Sequence, residues 1–169
     1  LQKPVEQVNK YSNSVDNARV TKQYHNNKRG MSTFDFDETL IVEGKNFVTA
    51  TKGDDVVQIR SAEWPILGQK YADDGYTFDF KDFVNVRGGK EGPLLQKMKN
   101  QIKKFGPENV FVLTARQQQA APAIHGWLKS QGINIPIDNI TGLGNSTGEA
   151  KALWMLNKVE QGYNDMYFV

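Results

Sequence analysis

Asp35-Phe36-Asp37-Glu38-Thr39, with Leu40 behind it, sets two carboxylates two positions apart. On an extended strand, side chains at i and i+2 share a face. If the strand ends after Asp35, then Asp37 rides on the departing loop and both carboxylates reach one small site. That is the equipment for a nucleophile, a general acid/base and one bound cation.

Other elements must hold this pair at a strand end. Apolar patterning predicts a strand over 32–36, less apolar than most buried parallel strands. A hairpin follows over 46–60, with Phe47-Val48-Thr49 and Val56-Val57-Gln58-Ile59 joined through Lys52-Gly53-Asp54-Asp55. Residues 61–92 read as irregular, punctuated by Trp64-Pro65, Asp73-Asp74-Gly75 and Gly88-Gly89. Pro93 opens a helix with Leu94, Leu95, Met98, Ile102 and Phe105 on one face, stopped by Gly106-Pro107. Val110-Phe111-Val112-Leu113 is a buried strand ending at Thr114. The next helix begins near Pro122, buries Ile124, Trp127 and Leu128, and stops at Gly132. A short strand at Asn139-Ile140-Thr141 leads through 142–148 into another helix. Ser146-x-x-Glu149 reads as its capping box, and Ala150, Leu153, Trp154 and Val159 as its buried face. Met166-Tyr167-Phe168-Val169 is the last strand. Strands alternating with helices predict an α/β fold with a parallel sheet. In such sheets ligands bind at the carboxyl ends of the strands, where Asp35 and Thr114 are expected.

Three features stand in order: Asp-x-Asp-x-Thr-Leu after a strand, a Thr ending a later strand, and a Lys early in a later helix. On these, residues 31–169 resemble the haloacid dehalogenase superfamily. Asp35 and Asp37 match its first motif, Thr114 its second and Lys151 its third. Its fourth motif is one or two acids directly after a strand; here they are expected beyond Val169. The resemblance implies a three-layer, Rossmann-like parallel sheet, with a small cap inserted after the first strand over about 41–92. It also implies a Mg²⁺-dependent phosphohydrolase. Asp35 would form an aspartyl-phosphate, and Asp37 would serve as general acid and then base. Thr114 would bind a phosphoryl oxygen and Lys151 would offset charge. Mg²⁺ would sit between the Asp35 carboxylate and the Asp37 carbonyl. Thr39 would steady the Asp37 loop on the substrate side. Thr114-Ala115-Arg116 is similar to members acting on nucleotide and polynucleotide phosphates, and Arg116 suits bidentate phosphate contact. An ordinary surface arginine fits the sequence equally well. The implied substrate is a phosphorylated small molecule or a nucleic-acid end.

Taken singly, Thr114 merely ends a strand and Lys151 is a solvated helix residue; their order gives them weight. Phe78-Asp79-Phe80-Lys81-Asp82 imitates the first motif but lacks the following Thr-Leu. Gly142-x-Gly144-x-x-x-Gly148 has the wrong spacing for a phosphate-cradling loop. Lys97, Lys99, Lys103 and Lys104 read as a solvated basic face. Trp64, Tyr71, Tyr76 and Phe78 read as the small core of the cap, with base stacking as the alternative. His25 and His125 have no partners at metal-ligand spacing.

The 169 residues carry 21 basic and 19 acidic side chains, a formal charge of +2, so no strong field draws nucleic acid. The chain has no cysteine, which excludes disulfides, thiolate metal sites and a Cys nucleophile. No apolar run nears the ~18 residues of a membrane span, and no signal peptide is evident, so a soluble chain is expected. Residues 1–30 form a polar arm, read as a linker or as an arm that binds a protein partner. Opening on Leu1, the chain reads as a processed product or a piece of a longer polypeptide, similar to modules of this superfamily in large phage-encoded proteins. A second reading follows: a non-catalytic structural or interaction module.

Overall fold

A computed structural model describes residues 29–145 and 147–169. The expectations for residues 1–28, including His25, and for Ser146 lie outside the described residues. Along the chain run β1 (Gly30–Phe34), β2 (Ile41–Gly44), β3 (Phe47–Lys52), β4 (Asp55–Arg60), α1 (Trp64–Asp73), β5 (Thr77–Asp79) and β6 (Gly88–Glu91). There follow α2 (Leu95–Phe105), β7 (Val110–Thr114), α3 (Ala121–Ser130), β8 (Ile140–Gly142), α4 (Gly148–Glu160) and β9 (Asp165–Phe168).

The fold is mixed α/β. Four parallel strands lie in the order β8-β7-β1-β9. Thr33 sits level with Phe111 on one side and Phe168 on the other. Alternate side chains serve opposite faces. Phe34, Val110, Val112 and Ile140 pack against Leu95 and Met98 of α2 and Ile124 and Leu128 of α3. Met31 and Phe111 pack with Tyr163 and Trp154, and Met155 and Val159 of α4 cover Met166 and Phe168. Each fully buried Leu or Phe contributes about 1.5–3 kcal/mol of apolar transfer, and covering both faces makes β1 and β7 the centre of the core.

From β1 the chain steps to β7 and β8, then returns to β9 on the other side of β1. The strand order therefore reverses between β1 and β9. Open parallel sheets bind ligands outside the carboxyl ends at such a reversal. β1 ends at Phe34, two residues before its expected end, so Asp35 and Asp37 both lie off the strand.

Residues 41–92 form the insertion. β2 and β6 pair antiparallel as its neck, and β4-β3-β5 form a small antiparallel sheet. The 61–92 stretch is not irregular: it holds α1, β5 and β6. Trp64-Pro65 was expected to break structure. Instead Pro65 occupies the first turn of α1, where a missing N–H costs no hydrogen bond. Trp64, Tyr71, Tyr76 and Phe78 pack around Val48, Ala50 and Ile59 as the insertion's own core. Trp64 meets Phe78 edge-on at 4.9 Å.

α4 departs from expectation in its buried face. Its cap oxygen is that of Thr147, which accepts from the Ala150 N–H at 3.2 Å. Its buried face is Ala152, Met155 and Val159, while Leu153 is 60% exposed. Among the described residues no helix is long and apolar enough to cross a membrane.

Candidate active site

Asp35 is the first residue beyond β1. Its N–H donates to the Val169 carbonyl at 2.8 Å, which extends the β1–β9 pairing by one step. Its Oδ1 accepts the Phe36 N–H at 2.7 Å, which fixes the carboxylate against the backbone. Lys151 lies four residues past the Thr147 cap, in the opening turns of α4, and its Nζ stands 4.0 Å from Asp35 Oδ2. The Lys151 side chain is only 13% exposed, so the attraction acts in a partly desolvated space. Burial still dominates. It holds the Asp35 carboxyl above its usual range, against the lowering by Lys151 and the Phe36 N–H, and nearby Asp37 adds to the rise.

Asp37 sits in a tight turn. The Phe36 carbonyl accepts from the N–H groups of Thr39, Leu40 and Ile41, and Glu38 takes a left-handed φ of 60°. Thr39, half-buried, holds the turn through its backbone: its carbonyl accepts from the Leu94 N–H at 3.1 Å. The Leu40 carbonyl accepts from the Gly92 N–H at 2.8 Å. A side chain at Gly92 would collide with the Thr39 and Leu40 carbonyls, so the neck closes this tightly only with glycine there.

Arg116 grips the turn from β7. Its Nε donates to Asp37 Oδ2 at 2.9 Å and its Nη2 to Oδ1 at 2.7 Å, a fork-to-fork pair. Nη1 donates to the carbonyls of Phe83 (3.1 Å) and Asn85 (2.7 Å), and Nη2 also to Asn46 Oδ1 (3.3 Å). All five guanidinium donors are thus committed to protein acceptors. Its guanidinium carbon lies over the Phe36 and Phe83 rings, 5.2 and 4.9 Å from their centroids. The side chain is 4% exposed. The sequence left a phosphate contact and an ordinary surface arginine equally open; in the structure Arg116 is buried and its fork is closed on Asp37 and the insertion.

Thr114, 1% exposed, closes β7. Its Oγ1 accepts the Arg116 N–H at 3.1 Å, which leaves the hydroxyl proton to donate elsewhere. The structure thus brings Asp35 together with Lys151, and Asp37 with Arg116, and ties Thr114 to Arg116, all at the carboxyl edge of the sheet. Asn46 and Asp82 escaped the sequence reading. Asn46 donates to the Asp82 carbonyl at 2.9 Å and to Oδ2 at 2.8 Å, and Arg87 Nε reaches Asp82 Oδ1 at 2.6 Å. Asp82 was noted only as part of the segment that imitates the first motif, and a lone Asn46 carries no spacing signal; their role shows only in the contacts with Arg116 and Arg87.

Among the described residues no three His, Asp or Glu side chains cluster around one metal position. The Asp35 carboxylate and the Asp37 carbonyl are nevertheless hard oxygen donors on one short segment. Mg²⁺ keeps several waters and needs few protein ligands. Lys151 only partly offsets the burial of Asp35, so added positive charge there is electrostatically favoured. These two oxygens are of the type Mg²⁺ takes and make up only part of an octahedral set. Comparison with family models, curated proteins and solved structures returns no match for this chain.

Proposed function

We propose that the domain is a phosphohydrolase of the haloacid dehalogenase type, working through an aspartyl-phosphate. The observation that carries this reading is the pairing of Asp35 with Lys151 beside the Asp37 turn, at the reversal of strand order. The insertion after β1 and the parallel sheet accord with that superfamily's fold.

Asp35 Oδ2, unengaged by the Phe36 N–H, attacks phosphorus as the ester P–O bond breaks. Asp37 protonates the leaving oxygen. It then takes a proton from the water that attacks the aspartyl-phosphate, which restores the Asp35 carboxylate. Lys151 neutralises charge gathered between Asp35 and the phosphoryl group, and the Thr114 hydroxyl donates to a phosphoryl oxygen. Arg116 orients Asp37 rather than binding substrate. Mg²⁺, held by the Asp35 carboxylate and the Asp37 carbonyl, would supply neutralising charge when bound. The substrate is a phosphate monoester of a small molecule or of a nucleic-acid end.

The test is release of phosphate from p-nitrophenyl phosphate with and without Mg²⁺. The expected result is Mg²⁺-dependent turnover that falls by at least about 10³-fold in Asp35→Asn, as removal of a nucleophile does. Turnover that survives Asp35→Asn removes the proposed nucleophile. A wild-type chain inert toward aryl and alkyl phosphates alike overturns the reading.

A further inference from the structure

Residues 81–87 of the insertion meet the candidate site through Arg116. Arg116 reaches Asp37 from one side, and on its other side its donors end on the Phe83 and Asn85 carbonyls and on Asn46 Oδ1. Those acceptors are themselves held. Asn46, 1% exposed, accepts the Arg87 N–H at 3.1 Å and donates twice to Asp82. The Asp82 carboxylate also accepts from Arg87 Nε and, at 3.3 Å, from the Phe47 N–H. A five-donor guanidinium with three acceptor groups in the insertion and one in the catalytic turn has one low-energy orientation. If the insertion acceptors move, both hydrogen bonds to Asp37 must re-form or break.

We infer that Asn46 and Asp82 form a latch that positions Asp37 through Arg116, so that the docked insertion is a working part of the acid/base apparatus. Asn46, Asp82 and Arg116 are positioning residues and touch no reacting atom. The inference rests on the phosphohydrolase reading only for its kinetic consequence; its structural content stands apart.

Two variants and two readouts test it. Asn46→Ala removes the inner end of the latch. Arg87→Ala, at a side chain 52% exposed, loosens its outer end at low risk to folding. The structural readout is hydrogen exchange of the Arg116 Nε–H by NMR of the ¹⁵N-labelled protein. Exchange is expected to be slow in the wild type, to approach that of exposed arginines in Asn46→Ala, and to be intermediate in Arg87→Ala. The kinetic readout is kcat/KM for two esters. Proton donation matters most when the leaving oxygen is basic. An alkyl phosphate should lose about 10–100-fold in Asn46→Ala, the range of a misplaced catalytic group, and p-nitrophenyl phosphate no more than about 3-fold. Equal losses on both esters would mean a general folding defect and overturn the coupling. Unchanged Arg116 exchange in both variants overturns the latch, whether or not the protein turns over either ester. If the wild type is inert while Arg116 exchange responds, the phosphohydrolase reading fails and the latch holds.

Discussion

β7 is buried along its whole length, whereas β4 keeps only Ile59 inside and leaves Val56 61% exposed. The parallel sheet is covered on both faces by helices and held by undirected apolar contact. The insertion has a thin aromatic core, and it is fastened to the sheet edge by directed polar contacts at Asn46, Asp82 and Arg116. The difference has a physical cause. A strand buried on both faces has no place for charged groups, so chemistry is displaced to its end. The insertion adds Ile41 and Val86 to the main core, and buried hydrogen bonds at Asn46, Asp82 and Arg116 direct its orientation.

The largest expected effect lies at the seam. Arg116→Ala leaves Asp37 and the Phe83 and Asn85 carbonyls without this donor and takes one of two donors from Asn46 Oδ1; it should cost about 3 kcal/mol in denaturant unfolding. Arg116→Lys should recover little, since an ammonium cannot span the same acceptors. A loss below about 1 kcal/mol would show that water replaces the fork freely. Next come two core truncations. Leu113→Ala and Ile59→Ala, both 1% exposed, should each cost about 2–5 kcal/mol locally. Their reach should differ. Leu113→Ala should speed amide exchange throughout, while Ile59→Ala should speed it in β3, β4 and β5 and spare β1 and β7. Uniform acceleration by both would make sheet and insertion one cooperative unit.

Smaller effects distinguish the two regions by pH. In Asp82, burial raises the proton affinity, but hydrogen bonds from Arg87, Asn46 and the Phe47 N–H outweigh it and hold the carboxyl below 3.8. Its stabilisation is full above pH 3.8 and fades as pH falls through the lower folded value. Asp35 has the opposite sign. Its carboxyl is held above 3.8, so its neutral form stabilises the fold below that pH, and this is lost as pH rises through the folded value. In metal-free buffer at pH 7, Asp82→Asn should lower Tm and Asp35→Asn should raise it, each by about a few degrees. Both differences should shrink below pH 3.8. A lower Tm for Asp35→Asn would mean that Lys151 outweighs burial. The smallest effect is in β1, where the buried Thr33 hydroxyl has no hydrogen-bond partner among the described residues. Thr33→Val should be neutral or stabilising by about 1 kcal/mol or less in thermal unfolding.

Local order along the chain was readable where one residue type in one pattern has one use. The apolar run at Val110-Phe111-Val112-Leu113 fixed a buried strand, and Gly106-Pro107 fixed the end of α2. Asp35 and Asp37 alone read most often as an exposed turn; they stood out because Thr114 and Lys151 follow them in order on later elements. α1 was not readable, because Trp-Pro signals a break as often as a helix start, and only packing against Val48 and Ile59 decides between them. Leu153 points outward because α4 lies on the sheet along Ala152, Met155 and Val159, an angle that helical period alone leaves free.

The sequence by itself determined the mixed α/β pattern, the carboxylate pair and the order of Thr114 and Lys151 after it. Tertiary structure alone decided what Arg116 holds. Its partners Asp37, Asn46, Phe83 and Asn85 lie between 31 and 79 positions away, and no local rule links residues so distant. Such a contact exists only once the sheet, the turn and the insertion have docked, because a buried guanidinium must find five acceptor positions at once.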